Sequence, residues 1–261
     1  MKICVFNSCD CNYILQKPHY PILMLKSFRA HFGNELDYIL VVGDTLTKEA
    51  CDLIPDWIQV REQNLKGVFS AYVSKERLWP QSVNWYVCAP IVLLDCDFAI
   101  NCDGDMSCHQ KFNISDVIPT NEDVTVARFN HMDARRKRKK PCYANAGFQV
   151  MNVRRWCKKE IWSHYKHHQA EGWYKSEQSC LNHCIQKNLI DVKYVPKWYN
   201  YLLPDSKKIS WPRRTHVGRI FIAHFTGTKP HIPHHKYRTE GGIKDVLAKE
   251  FMSYSEQSKR C

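Results

Sequence analysis

The sequence predicts an α/β domain built on a mostly parallel central sheet. Three observations predict it. The chain opens on an apolar, β-prone segment; strand-like and helix-like segments alternate with short connections through the first hundred residues; and 261 residues are ample for one full core. Apolar residues make up 44% of the chain and charged residues 25%, which excludes overall disorder.

Lys2 to Ser8 reads as the first strand. A polar loop from Cys9 leads to Pro21 to Phe28, which has helical spacing with proline near the first turn. Leu36 to Val42 is a second strand and closes on Gly43-Asp44. Thr47 to Leu53 reads as helix, Trp57 to Val60 as a short strand and Val68 to Leu78 as helix. Val83 to Val87 continues toward Ala89-Pro90-Ile91-Val92-Leu93-Leu94, an apolar run expected to form a buried strand ending on Asp95-Cys96-Asp97. In the second half, Val124 to Phe129 and Ala146 to Val153 read as strands, separated by six basic residues from Arg135 to Lys140 that must form a solvated loop. Arg154 to His168 and Ser176 to Lys187 read as helices, Val192 to Val195 and Ile220 to His224 as short strands, and Ile243 to Phe251 as an amphipathic helix. There is no internal repeat and no low-complexity linker, so a single domain, residues 1–261, is expected.

The totals narrow the function. No apolar stretch reaches 18 residues, and the N-terminal apolar run is too short for a signal peptide, so the chain as given is expected to be cytoplasmic. Its 13 cysteines have no zinc-site spacing and are expected to be reduced and mostly buried. A net charge of +12 favours anionic partners and keeps nucleic acid as a competing reading.

In an open parallel sheet, ligands sit outside the carboxyl ends of the strands. Asn7-Ser8, Asp44, Asp95-Cys96-Asp97 and His224 fall at such ends as the strands are read here. Two carboxylates one residue apart repel unless a cation or proton lies between them. A divalent ion that accepts carboxylate and imidazole would join Asp95, Asp97 and His224. Gly227 permits close backbone approach and Lys229 supplies a cation for a phosphate. The second acidic pair, Asp103-Gly104-Asp105, lacks a preceding apolar strand and reads as a plain turn.

Four segments in order resemble glycosyltransferase family 8, the GT-A-fold group that includes glycogenin and bacterial galactosyl- and glucosyltransferases. They are Leu93 to Asp97, Ala144 to Asn152, Glu177 to Asn182, and His224 to Pro230. The resemblance implies a Rossmann-like GT-A domain, with residues 1–100 as the nucleotide-binding half, 101–231 as the donor-sugar and acceptor half, and 232–261 as a basic tail and helix. It implies metal-dependent transfer of a hexose or pentose from a nucleotide sugar, a UDP-sugar above others, to a glycan or protein-linked sugar, with retention of configuration. Asp97 and His224 would ligate Mn²⁺ or Mg²⁺, with Asp95 shared between metal and ribose. Gly227 and Lys229 would hold the diphosphate; Ser8, Tyr13 and Lys75 would reach the nucleotide, Tyr13 by stacking on the base. Asn145, Glu177 and Gln178 would line the donor sugar near its anomeric carbon. The alternatives are a basic nucleic-acid-binding protein and a nucleotide-sugar-binding relative without turnover.

Overall fold

The computed structural model describes residues 1–66, 68, 72–74, 77–79, 81–129, 143–170, 177–203, 218–225 and 243–256. The first part holds β1 (Ile3–Cys9), α1 (Cys11–Leu15), α2 (Tyr20–Phe32), β2 (Asp37–Val42), α3 (Lys48–Leu53) and β3 (Gln59–Glu62). An antiparallel pair, β4 (Tyr72–Ser74) and β5 (Arg77–Trp79), precedes two 3-10 segments, Gln81–Val87 and Ala89–Val92. Then come β6 (Phe98–Cys102), β7 (Met106–Cys108), α4 (Ile114–Val117), β8 (Val124–Phe129) and β9 (Tyr143–Asn152). The remainder is α5 (Val153–Lys158), α6 (Ile161–Ala170), α7 (Glu177–Gln186), β10 (Val192–Val195), a 3-10 turn at Lys197–Tyr199, β11 (Tyr201–Leu202), β12 (Ile222–His224) and α8 (Ile243–Glu256).

Seven strands form the central sheet in the order β10-β8-β9-β6-β1-β2-β3. β9 runs antiparallel to both its neighbours, and every other pairing is parallel. A smaller sheet, β11-β12-β7, stands beside it. The expected α/β architecture with a mostly parallel sheet is therefore what forms. Among the described residues no helix is long and apolar enough to cross a membrane.

Both faces of the sheet are covered, which is why β1 and β2 are apolar almost throughout. On one face Val5 and Leu40 join Met24 and Phe28 of α2; on the other Phe6 and Ile39 join Trp85, Ala89 and Trp156. Trp156 is buried to its polar edge, and its Nε1–H donates to the Val87 carbonyl at 3.0 Å. A third cluster fixes α8, where Phe251 packs 6.1 Å from the Tyr20 ring and 5.5 Å from the Phe225 ring. That contact anchors the chain immediately after His224. Every described cysteine is free, and most are buried.

Three segments differ from the sequence reading. Val68 to Leu78 holds, among its described residues, the strands β4 and β5 in place of a helix. The stretch after β9 breaks into α5 and α6, with Glu160 between them at a φ of 48°. Most consequential is Ala89 to Leu94, which is not a strand. Pro90 has no N–H to give a ladder, and the segment takes a 3-10 turn that buries Ala89 and Leu93 while Ile91 and Leu94 face solvent. The strand that the run was expected to supply is β6, the next segment along.

Asp95 and Asp97 consequently lie before β6, at its amino end. Asp95 accepts from Arg61, with Nη2 at 2.9 Å, and from Lys2 Nζ at 2.6 Å. Asp97 accepts the backbone N–H of Lys2 at 2.7 Å. These carboxylates tie the start of β6 to β1 and β3, and their repulsion is relieved by Arg61 and Lys2 without any added cation. Arg61 and Lys2 hold the Asp95 carboxyl below the usual carboxylate range. A depressed carboxyl stabilises the fold above its unfolded value near pH 4, and that contribution is lost as pH falls toward its folded value. Asp95 is nearly half exposed, so Asp95→Asn is expected to cost about 1 kcal/mol or less at neutral pH. In urea titrations the gap between wild type and variant should hold from about pH 7 to pH 5 and narrow as pH falls below about 4; a gap that widened there would contradict the assignment.

Candidate active site

The opposite end of β6 is different. β6 and β9 pair as far as Cys102 and Phe148, and beyond them the Asp103 N–H donates to the Gly147 carbonyl at 3.0 Å. Asp103-Gly104-Asp105 then turns the chain into β7, closed by the Met106 N–H on the Asp103 carbonyl at 3.0 Å. β7 pairs antiparallel with β12, setting Met106 opposite His224, and the Phe225 N–H donates to the Asp105 carbonyl at 2.9 Å. Two very short strands thereby carry a histidine near position 220 onto an acidic turn near position 104.

His224 Nε2 lies 3.3 Å from Asp105 Oδ1 and 3.5 Å from Asp103 Oδ2. Ligand atoms of all three residues fall within 4.8 Å of one another. His224 and Asp105 are buried, while the Asp103 side chain is about half exposed, so the cluster opens to solvent on one side. Two carboxylates and an imidazole are donors that a divalent cation accepts, and their closeness favours one. Gly104 matters here for its missing side chain: a Cβ there would fall 2.6 Å from the Tyr13 hydroxyl oxygen. The Tyr13 ring therefore lies against the acidic turn, and burial together with Asp105 and Asp103 raises its phenol well above the ordinary range.

A chain of amides leads away from the histidine. His224 Nδ1 is 3.0 Å from Asn200 Oδ1, and Asn200 Nδ2 donates to Asn145 Oδ1 at 2.8 Å. Asn145 Oδ1 also accepts the Gly147 N–H at 2.9 Å, and Asn145 Nδ2 donates to Gln178 Oε1 at 2.8 Å. The first residues of β9 extend past the end of β6, which leaves backbone groups on that side to satisfy. Asn182 of α7 meets this need like a strand residue, accepting the Ala144 N–H and donating to the Ala144 carbonyl, both at 2.8 Å. One helical turn earlier, Gln178 is thereby set against Asn145.

The structure brings together four of the residues singled out in the sequence: Asn145, Gln178 and His224 through hydrogen bonds, and Tyr13, whose ring lies against the acidic turn. Glu177 opens α7, its side chain outside the described residues. Ser8 lies near the carboxyl end of β1 with a buried hydroxyl that has no hydrogen-bond partner among the described residues. Lys75, Gly227 and Lys229 lie outside the described residues. The grouping of Asp95 and Asp97 with His224 is corrected. Asp97 and Asp103 bracket β6 and stand roughly 20 Å apart at about 3.3 Å per residue. One cation, with ligands at about 2 Å, cannot bridge that gap. The pair beside His224 is Asp103-Gly104-Asp105, whose sequence reads as a plain turn, and no sequence pattern marks Asn200. The signal for the first was present: Phe98 to Cys102 is a short apolar strand, and Asp103 follows it directly.

Residues 88–231, more than half of the chain, match the family model described as glycosyl transferase family 8. No curated protein matches the sequence. Among solved structures, the galactosyltransferase LgtC in complex with donor and acceptor sugar analogues superposes with a TM-score of 0.70 at 14% identity, covering 98% of this chain and 96% of that one. The bifunctional glycosyltransferase WbbM gives 0.63 at 15% identity over 97% of this chain and 49% of its own. GlyE of Streptococcus pneumoniae TIGR4 gives 0.62 at 15% identity over 97% and 60%. At these identities the likeness is one of fold, and it agrees with the sheet order described above.

Gly147 lies against the imidazole of His224. A Cβ there would lie 2.6 Å from His224 Cε1 and 2.8 Å from Nδ1, so Gly147→Ala must displace the imidazole. Calorimetric titration with Mn²⁺ should show affinity reduced about tenfold or more, with the far-ultraviolet circular dichroism unchanged. Undiminished affinity would remove His224 from the site.

Proposed function

The chain belongs to glycosyl transferase family 8, and from that premise we propose that it moves a hexose or pentose from a UDP-sugar to a carbohydrate acceptor. In this reading Asp103, Asp105 and His224 hold Mn²⁺ or Mg²⁺, and the anomeric configuration is retained. One observation carries it: two aspartates and a histidine converge at the carboxyl edge of the sheet, joined by a chain of hydrogen bonds to three amide side chains. Ligands of open α/β sheets bind at that edge.

Sugar transfer requires departure of a nucleoside diphosphate whose charge grows in the transition state. When bound, the cation supplies electrophilic stabilisation of that leaving group. Asp103 and Asp105 would offset the cation's charge, and His224 would supply an imidazole ligand beside them. Gly227 and Lys229 are proposed to hold the diphosphate, with Ser8, Tyr13 and Lys75 on the nucleotide. The unpaired hydroxyl of Ser8 supports a polar ligand at the end of β1. Asn145 and Gln178 are preorganised by each other, by the Gly147 and Ala146 N–H groups and by α7, so their amides can orient the donor sugar without rearranging. An active-site glutamine is named in a structure of LgtC; Gln178 is the glutamine proposed for that place here, with Glu177 beside it. An amide oxygen near the anomeric carbon suits the oxocarbenium character that develops there. The first hundred residues would then serve the nucleotide and residues 101–231 the sugars.

A panel of UDP- and GDP-sugars, assayed for slow hydrolysis without acceptor, tests this. One UDP-sugar should be hydrolysed only with Mn²⁺ or Mg²⁺, and Asp103→Asn or His224→Gln should lower the rate about a hundredfold or more. Asp97→Asn should leave it unchanged. Metal-independent hydrolysis, or none with any nucleotide sugar, would overturn the reading. Steeply salt-dependent DNA or RNA binding in its place would favour the nucleic-acid alternative.

A further inference from the structure

We propose that Asn200 is a positioning residue that fixes the tautomer of His224 and couples the cation ligands to the sugar-side amides. The inference rests on the cation site proposed above. Asn200 follows the 3-10 turn Lys197–Tyr199, is 4% exposed, and spends both ends of its amide on the site.

The direction of every hydrogen bond in the chain is set by one group that cannot be reversed. The Gly147 N–H is a backbone donor, so the Asn145 atom it meets at 2.9 Å is the amide oxygen. That oxygen also receives Asn200, so the Asn200 atom 2.8 Å away is Nδ2. Asn200 Oδ1 is left facing His224 Nδ1 at 3.0 Å, and an amide oxygen can only accept. In the neutral ring the proton therefore resides on Nδ1, and Nε2 turns its lone pair toward Asp103 and Asp105. Metal-ligating histidines are commonly oriented in this way, by a hydrogen bond from the nitrogen that does not bind the metal. At the other end, Asn145 Nδ2 is committed to Gln178 Oε1. Among the described residues, Asn200 passes a shift of His224 to Asn145 by side-chain hydrogen bonds.

The backbone reinforces the path. The Gly147 N–H donates to Asn145, and its missing side chain leaves room for both the His224 ring and the Asn145 amide. Asn145 and Gly147 lie on the same overhanging segment of β9, and Asn200 and His224 come from the β11–β12 side. Asn200 is the side-chain link between the two.

Nitrogen-15 spectra of the imidazoles, recorded at alkaline pH without metal and assigned by comparison with His224→Gln, read the tautomer directly. Wild type and Asn200→Asp should carry the His224 proton on Nδ1, because a carboxylate still accepts it. Asn200→Ala should move proton population to Nε2. In Mn²⁺ titrations Asn200→Ala should lose tenfold or more in affinity, and Asn200→Asp should stay within about threefold of wild type. Asn200→Asp should nevertheless lower the hydrolysis rate, since a carboxylate cannot donate to Asn145. An Nε2-protonated ring in wild type, or one tautomer common to all three proteins, overturns the inference even if Mn²⁺ binds normally. An Nδ1-protonated ring that responds to Asn200→Ala, in a protein that binds no Mn²⁺, upholds the relay and removes the cation reading.

Discussion

Two carboxylates and an imidazole nitrogen held within 4.8 Å of one another form the constraint around which this fold closes. Like charges at that separation are costly in a partly buried setting unless a positive charge joins them. The chain nonetheless fixes the arrangement from several sides. β6 ends at the turn, β7 and β12 bring the histidine across, Gly147 makes room for the ring, and Asn200 grips its far nitrogen. Such over-determination of an unfavourable cluster is a feature of a site built for a ligand. The acidic residues at the other end of β6 make the contrast. Asp95 and Asp97 meet Arg61, Lys2 and the first residues of the chain, and their charge is already answered.

Stability and function are divided between the interior and the edge. The two faces of the central sheet bury continuous apolar clusters, and the third cluster locks α8 onto α2 and the residue after His224. Against that rigid base the site is composed of short elements: a three-residue turn, strands of two or three residues, and amide side chains standing in for missing strand partners. Packing supplies the precision that the short strands could not supply alone. The opening at Asp103 leaves the cluster reachable from solvent, while Asp105 and His224 are held from behind.

Much of the fold was legible in the sequence, because apolar period and strand–helix alternation identify β1, β2, α2, β8, β9, α7 and β10 closely. The family resemblance points to Asn145 and Gln178 and the strand-end position to His224, and the structure gathers the three in one place. The acidic pair was misplaced for a physical reason. Ala89 to Leu94 is the more apolar run, but Pro90 and the inward spacing of Ala89 and Leu93 belong to a 3-10 turn. The true strand, Phe98 to Cys102, is shorter, contains Asn101 and is flanked by aspartates on both sides, so the longer apolar run before it is the stronger strand signal. Asn200 left no signal at all, since its importance lies in hydrogen bonds that span 55 residues to Asn145 and 24 to His224. Pattern within a segment reveals its buried face; it does not reveal which side chains meet across the sheet edge.

Anomalous diffraction from crystals grown with Mn²⁺ and UDP measures directly which acidic pair binds metal. An anomalous peak bonded to Asp103, Asp105 and His224, with the diphosphate on its open side, is the expected result. A peak at Asp95 and Asp97, or none near His224, would contradict it.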